Sequence, residues 1–112
     1  MQEAIARTKH VRISPRKARL AAGLIRGMEC EKALVQLLYS NLKGGRLLKK
    51  TLHSAIANAE NRLGVQRRDL KVKEVRIDAG PVMKRAKSKS KGGRVPILKR
   101  TSHFTVVVGT ES

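Results

Sequence analysis

Aromatic side chains are almost absent from this chain of 112 residues, which has no Trp, one Tyr and one Phe. Proteins that bind single-stranded nucleic acid stack successive bases on aromatic rings, and the sheet-based readers of unpaired RNA do the same. Stacking on aromatic rings is therefore excluded as the main means of nucleic-acid recognition. Tyr39 and Phe104 also cannot supply the belt of Trp and Tyr that marks a membrane interface.

Cysteine and long apolar runs are scarce as well. Cys30 is the only cysteine, so an intrachain disulfide and a thiolate metal cluster are excluded, and a small apolar filler is its simplest role. No apolar run approaches the roughly 18 residues that a membrane-spanning helix requires. Residues 1–12 lack the apolar centre of a signal peptide. We expect a soluble, cytoplasmic protein with no membrane contact.

Acidic residues are few and show no catalytic grouping. An enzyme would need a nucleophile beside a base, paired carboxylates or a cluster of metal ligands. Glu60, Glu74 and Asp78 have no pairing signature. The histidines fall in separate predicted elements without the close spacing of a metal site, namely His10, His53 and His103. We therefore predict no enzymatic activity, no cofactor and no bound metal.

Positive charge is what the chain has in excess, with 26 Lys and Arg against 8 Asp and Glu, a net charge of +18 and a pI of about 11.4. So much uncompensated charge destabilises a compact chain by self-repulsion, which a polyanionic partner relieves. Nucleic acid is the first candidate. Without aromatic stacking, phosphate neutralisation and shape recognition remain. These suit a folded RNA, or DNA bound without sequence preference.

The length suits one domain with a modest core, and the chain begins with a strand pattern. Residues 4–13 alternate in a way that predicts an edge strand, with Ile5, Val11 and Ile13 on one face and cations between them.

A helix is predicted next, over residues 14–27. Ser14 suits the N-cap, Pro15 the first helical position and Gly27 the residue after the end. Its apolar face comprises Ala18, Leu20, Ala21, Leu24 and Ile25. The cations outside that face are Arg16, Lys17, Arg19 and Arg26. No acid accompanies them, which favours phosphate contact over the alternative of a merely solvated helix face.

Two more helices and two strands complete the predicted body. A second helix covers residues 29–40, and a third, with three-and-four apolar spacing, follows Gly44 and Gly45 and ends at Gly64. Residues 70–79 read as a strand whose apolar phase changes after Val72, which indicates a bulge. Residues 101–108 form the closing strand. Asn58, on the third helix, either contacts RNA or lies in solvent, and the same holds for Asn61.

The segment 83–100 contains eight cations and no acid. Blocks of like charge are often disordered, but this one lies between two predicted strands. A hairpin from residue 80 to residue 101 would have arms of about ten residues and a reach of roughly 30 Å. Its glycine-rich, cationic end cannot supply a core of its own. We therefore predict an arm that an anionic surface orders.

Four stretches of the sequence carry a family resemblance over nearly the whole chain. They are VRISPRKARL at residues 11–20, SAIANAENRLG at 54–64, VKEVRIDAGPVMKR at 72–85 and LKRTSHFTVVV at 98–108. In this order they closely resemble the bacterial large ribosomal subunit protein twenty-two family. The resemblance implies an α+β fold in which three helices pack on a small, mainly antiparallel sheet with a long protruding β-hairpin. The single domain then divides into a body, residues 1–79 and 101–112, and a hairpin, residues 80–100.

The resemblance also implies a function without catalysis. Members of the family are structural constituents of the large ribosomal subunit that bind 23S ribosomal RNA and assist assembly. Their hairpin tip helps line the polypeptide exit tunnel, near the L-four family of ribosomal proteins and the nascent chain. Judged from charge and composition alone, the alternative is a nucleoid or DNA-architectural protein. Such proteins insert apolar wedges into the minor groove, and the basic tip of the predicted hairpin offers none beyond Val95 and Pro96.

Carried over by position, the resemblance implies two sets of site residues. The set expected at ribosomal RNA is Arg12, Ser14, Pro15, Arg16, Lys17, Arg19, Lys84, Arg85, Lys99, Arg100, Thr101, Ser102 and His103. The set expected at the tunnel tip is Ser88, Lys89, Ser90, Lys91, Gly92, Gly93 and Arg94. Many relatives have a tip rich in Pro, Arg and Ala instead. The Ser that often caps the second helix is also replaced, because Glu29 and Cys30 stand there.

Overall fold

A computed structural model describes the backbone of residues 2–88 and 94–110 and the side chains of residues 2–82 and 99–110. Its elements, in chain order, are β1 (Glu3–Val11), α1 (Pro15–Ile25), α2 (Cys30–Leu38), α3 (Lys43–Leu63), a 3-10 turn (Arg67–Asp69), β2 (Leu70–Ala79), β3 (Met83–Ser88), β4 (Arg94–Lys99) and β5 (Ser102–Thr110).

The strands form an antiparallel three-stranded sheet in the order β1-β5-β2 and a separate antiparallel pair, β3 with β4. The three helices pack on the larger sheet, so the predicted α+β class is confirmed. Phe104, Val106 and Val108, on the central strand β5, are fully buried in the core. Ala79 and Ser102 form the last pair of the larger sheet. The first pair of β3 and β4 lies within a few residues of this pair on both strands.

Strand β1 lies at an edge of the sheet, as predicted, and small side chains form its buried face. Ala4 and Ala6 are buried, whereas Ile5 between them is 44% exposed. Helix α3 packs against this strand, and its own buried residues there include Ala55 and Ala59. A close helix–strand approach favours small side chains, so the larger apolar residue faces outward.

Helix α1 begins as its sequence predicts. The Ser14 hydroxyl accepts a 3.4 Å hydrogen bond from the Lys17 amide, and Pro15 occupies the first turn. After the helix, Gly27 adopts a φ of +78°, a conformation that glycine takes without steric strain. The buried face is narrower than predicted, because Leu20 is 62% exposed and Leu24 is 40% exposed.

Helix α3 starts earlier than predicted, and its two glycines lie in the first turn rather than before it. Both are buried at positions where other segments pass closely. A Cβ on Gly44 would lie 3.3 Å from the Ala18 Cα and 3.3 Å from the Ile13 Cδ1. A Cβ on Gly45 would lie 2.9 Å from the Ser40 hydroxyl. The glycines therefore allow α1 and the preceding loop to pack against the start of α3.

The predicted bulge in β2 is confirmed. The pairing of β2 with β5 shifts between Val72 and Glu74, which changes the inward phase from Val72 to Val75. A second irregularity lies in β1 between Thr8 and Val11, where His10 has a φ of +58°. Bulges of this kind bend a strand and increase its local twist.

Candidate nucleic-acid interface

Three hydrogen bonds fix the base of the hairpin to the body. The Gly80 amide donates to the Thr101 carbonyl at 2.9 Å, and the Thr101 hydroxyl donates to the Pro81 carbonyl at 2.7 Å. The Ser102 hydroxyl donates to the Ile13 carbonyl at 2.7 Å. These bonds join the end of β2, the start of β5 and the loop before α1, so the two arms leave the body at a fixed place.

The resemblance placed Thr101 and Ser102 at ribosomal RNA, and the structure gives their side chains another role. Thr101 is 4% exposed and Ser102 is fully buried. Each hydroxyl already donates to a main-chain carbonyl. A buried hydroxyl with its hydrogen committed in this way has little capacity for an outside partner. We therefore assign both side chains to holding the hairpin base.

A groove of about 800 Å³ lies beside the hairpin base. Its lining comes from the end of β1, the start of α1, the start of α3 and the end of the returning arm. The lining residues are Arg12, Ile13, Ser14, Lys17, Leu20, Leu42, Lys43, Gly44, Lys99 and Arg100. We call this the basic groove. It brings together five of the predicted RNA-binding residues, namely Arg12, Ser14, Lys17, Lys99 and Arg100.

The basic groove has an uncompensated positive charge. Five of its lining residues are cations and none is an acid. Among the described side chains, ion pairs join Glu29 with Lys32, Glu60 with Arg67 and Glu74 with Arg76. None of these pairs includes a groove cation. Like charges held this close raise the free energy of the folded chain, and an anion in the groove lowers it.

The backbone of two helices adds to that field. The first turns of α1 and α3 line the groove, and neither contains an acidic residue. Helix α3 has no side-chain cap, since the residue at its N-cap is Leu42. The positive end of a helix macrodipole favours an anion within the first turn. Here that contribution has the same sign as the side-chain charges of Lys17 and Lys43.

The other cations of α1 differ in their surroundings. Arg16 is exposed beside the groove without lining it. The Arg19 guanidinium donates to the Ile77 carbonyl at 3.0 Å, and that of Arg26 donates to the Val75 carbonyl at 2.9 Å. These two arginines tie α1 to β2. Arg19 was predicted at RNA, and it has donors to spare for that contact because a guanidinium carries five.

His103 takes part in a local contact with the β1 bulge. Its Nδ1 accepts a 3.1 Å hydrogen bond from the His10 amide, and the two rings meet edge to face with centroids 4.9 Å apart. Acceptance at Nδ1 places the proton of a neutral His103 ring on Nε2. No group of three or more potential metal ligands occurs in the part of the chain that the structure describes.

Within the hairpin, residues 83–88 and 94–98 are described only as backbone. Lys84 pairs with Leu98 and Arg85 with Ile97 in the ladder of β3 and β4. The tip positions Lys89, Ser90, Lys91, Gly92 and Gly93 lie outside the described residues, as do the side chains of Ser88 and Arg94. The predicted contacts of all these residues stay predictions.

Sequence reasoning missed five residues of the groove, namely Ile13, Leu20, Leu42, Lys43 and Gly44. Leu20 was assigned to the apolar face of α1. Lys43 precedes two glycines, and a glycine pair in front of an apolar helix is a signal of close packing that could have drawn attention to it. Leu42 carries no such signal.

Other polar residues that sequence reasoning left open have structural roles. The Asn58 amide donates to the Ile5 carbonyl at 3.0 Å and so joins α3 to β1. Cys30 is fully buried, and burial raises the pKa of its thiol to about 12, as suits a small apolar filler. No helix among the described residues is long and apolar enough to cross a bilayer.

Comparison with known proteins agrees with the resemblance found in the sequence. The model of the family described as ribosomal protein L22p/L17e matches residues 6–109. The chain is 67% identical over 108 residues to the large ribosomal subunit protein uL22 of Protochlamydia amoebophila (strain UWE25), covering 96% of this chain and 97% of that one. It is 61% identical over 104 residues to the protein of the same name from Chlamydia pneumoniae, covering 93% and 94%.

These matches extend from β1 to β5 and so include every element that lines the basic groove. They confirm the family predicted from the four sequence stretches, and with it a non-enzymatic component of the large ribosomal subunit, a cytoplasmic particle in bacteria. The chain belongs to the ribosomal protein L22p/L17e family.

Proposed function

We propose that the chain binds the 23S RNA of the large ribosomal subunit through the basic groove and that its hairpin continues from there into the folded RNA. The observation that supports this most is the convergence of five cations, from four separate segments, on one groove without an acid. A-form RNA is recognised mainly through its shape, phosphates and 2′-hydroxyls. A groove of this charge fits the phosphates of such a surface.

In this proposal the hairpin cations extend the phosphate contacts that the groove cations make. Lys99 ends β4 and Arg100 follows it, and both line the groove. Lys84 and Arg85, on the outgoing arm, then continue the phosphate contacts away from the body. Since each neutralised phosphate releases counterions, five groove contacts would give a salt slope of roughly −4.

The hairpin contributes the part of the function that is particular to the ribosome. Residues 88–94 reach the wall of the polypeptide exit tunnel, where they meet the nascent chain and a protein of the L-four family. An arm that contacts RNA along its length also holds separate RNA segments together during assembly. The family resemblance supports this part of the proposal, and the fixed base at Gly80 and Thr101 gives the arm a defined exit from the body.

Binding across a salt series tests the RNA-binding part. The intact protein is titrated with structured large-subunit RNA while double-stranded DNA of equal length competes. Arg100→Gln removes one groove cation. Lys32→Gln is the matched control, because Lys32 is 72% exposed on α2 and its only described ion pair is a 3.9 Å contact with Glu29. An exposed pair of this kind contributes little to stability.

We expect a preference for the RNA that persists at raised salt, a slope lower by about 0.7–0.9 for Arg100→Gln, and no change in affinity for Lys32→Gln. Equal affinity for RNA and DNA, with both variants weakened alike, would instead support the DNA-architectural alternative. Replacement of residues 88–94 tests the tunnel role, and it should alter passage of nascent chains more than RNA affinity. If substitutions at the tip and at the hairpin base lowered RNA affinity equally, a separate tunnel role for the tip would be contradicted.

A further inference from the structure

Two exposed leucines lie among the cations of the basic groove. Leu20 is 62% exposed and Leu42 is 37% exposed, and both belong to its lining. Leu20 comes from α1, whereas Leu42 precedes α3. The surface of an RNA duplex offers mainly phosphates, 2′-hydroxyls and base edges, and polar groups of this kind lose hydrogen bonds to water when a leucine side chain covers them. Phosphate binding alone therefore leaves the apolar part of the groove without a partner.

The groove is large enough for more than a phosphate group. Its volume of about 800 Å³ lies within the range of about 300–1,000 Å³ that is typical of pockets for small organic ligands. A nucleotide offers an anionic backbone and an apolar base face within one unit. Bases displaced from a helix are held between aromatic or apolar side chains. The combination of cations and leucines in one groove matches both parts of an unstacked nucleotide.

We propose that the basic groove holds an unstacked base of large-subunit RNA against Leu20 and Leu42, while its cations hold the flanking phosphates. This inference rests on the proposed RNA-binding function and specifies its substrate as an RNA with a bulged or looped-out nucleotide. The absence of acids favours an RNA occupant over a peptide, because a basic ribosomal protein would be repelled by the five groove cations.

RNA hairpins that differ by a single base test the inference. Four hairpins carry one bulged A, G, C or U in the stem, and a fifth carries an abasic nucleotide at the same place. All five have the same number of phosphates. The intact protein is compared with Leu20→Gln. Leu24→Gln is the matched control, since Leu24 is 40% exposed one turn further along α1 and does not line the groove.

We expect at least one base-containing bulge to bind about 5- to 50-fold more tightly than the abasic one, because the apolar surface that a base buries against leucine side chains contributes in proportion to its area. Leu20→Gln should remove most of that advantage and leave the salt slope and the affinity for the abasic hairpin unchanged. Leu24→Gln should keep the advantage. A bulged 2-aminopurine should also change its fluorescence on binding, and this change should be lost with Leu20→Gln.

The outcomes separate this inference from the function on which it rests. If no bulged base binds more tightly than the abasic hairpin, while salt-sensitive binding to RNA persists, the base site is overturned and the RNA-binding function stands. The same conclusion follows if Leu20→Gln binds every hairpin normally but is not incorporated into large subunits, because the leucines would then contact a protein. Loss of any preference for RNA over DNA would overturn both.

Discussion

The backbone of Gly80 and the side chain of Thr101 occupy adjoining space at the hairpin base. A Cβ built on Gly80 would collide with the Thr101 hydroxyl and would lie 3.1 Å from the His103 Cε1. That hydroxyl donates to the Pro81 carbonyl, and the Gly80 amide donates to the Thr101 carbonyl. Glycine is thus required at position 80, because the Thr101 hydroxyl that bonds to Pro81 occupies the space a Cβ would take.

Gly80→Ala should lower the free energy of unfolding by about 1–3 kcal/mol, because the added methyl displaces a buried, hydrogen-bonded hydroxyl. Thr101→Ala removes that hydroxyl and makes room for the methyl. In urea unfolding, the double variant should therefore be less destabilised than the sum of the two single variants. Additive losses would show that the two positions do not interact.

Gly44→Ala should destabilise the body although alanine is the better helix former. The new methyl would lie 3.3 Å from the main-chain Cα of Ala18, which cannot yield without moving α1. We expect a loss of about 1–3 kcal/mol in denaturant unfolding. Gly23→Ala is the matched control, since its Cβ would meet nothing within 4 Å. That variant should gain about 0.5–1 kcal/mol, and a gain of the same size at Gly44 would contradict the packing argument.

Cys30 should not react with a thiol reagent in the folded protein. Burial raises the pKa of its thiol from 9.0 to about 12, so the nucleophilic thiolate is scarce at pH 8, and the side chain is fully buried. Labelling with an aromatic disulfide reagent should become fast only in denaturant. Because the folded pKa is the higher one, the thiol contributes stability below pH 9 that is lost as the pH rises from 9 towards 12. Rapid labelling without denaturant would refute this.

His53 should make the protein less stable in mild acid. Although the side chain is exposed, its slight desolvation is the largest cause of its lowered pKa, and the positive charges of Arg67 and Lys49 act in the same direction. The unfolded chain then binds the proton more tightly than the folded one. The free energy of unfolding should therefore fall as the pH drops through the unfolded value of 6.5.

The difference between wild type and His53→Gln, measured by urea unfolding from pH 5 to pH 8, isolates this residue from the other two histidines. From pH 8 to pH 5, the free energy of unfolding of the wild type should fall more than that of His53→Gln. An equal pH dependence of the two proteins would assign the effect elsewhere.

Local rules predicted the elements of this fold well. The Ser14 cap, the spacing of α3 and the phase change after Val72 depend on neighbours in sequence, and each appears in the structure. The alternation in β1 did not show which face is buried, because Ala4 and Ala6 lie on one face and Ile5 on the other. The distance between α3 and β1 decided that point instead, and distances between elements are not encoded in a strand's own pattern.

The candidate site shows the same limit. Excess charge and the family resemblance predict Arg12, Lys17 and Arg100 as site residues. Their convergence with Leu42 in one groove depends on the tertiary structure and is not visible in the sequence. Thr101 and Ser102 were placed at RNA by the family resemblance, together with the cations Lys99 and Arg100 that precede them in sequence. Burial separates them from those cations, since Arg100 is exposed and Thr101 is 4% exposed. Both residues lie between β4 and β5, where sequence alone does not show which side chain turns inward.

The central position of β5 has a mechanical consequence for the arm. The returning arm runs through Lys99 and Arg100 directly into β5, which is hydrogen-bonded to β1 on one edge and to β2 on the other. The outgoing arm likewise continues from β2, so a pull along both arms moves β2 and β5 together and loads the ladder between β1 and β5 in shear. The bonds of a shear-loaded strand resist together rather than opening one after another. Strand β1 therefore anchors the arm through β5.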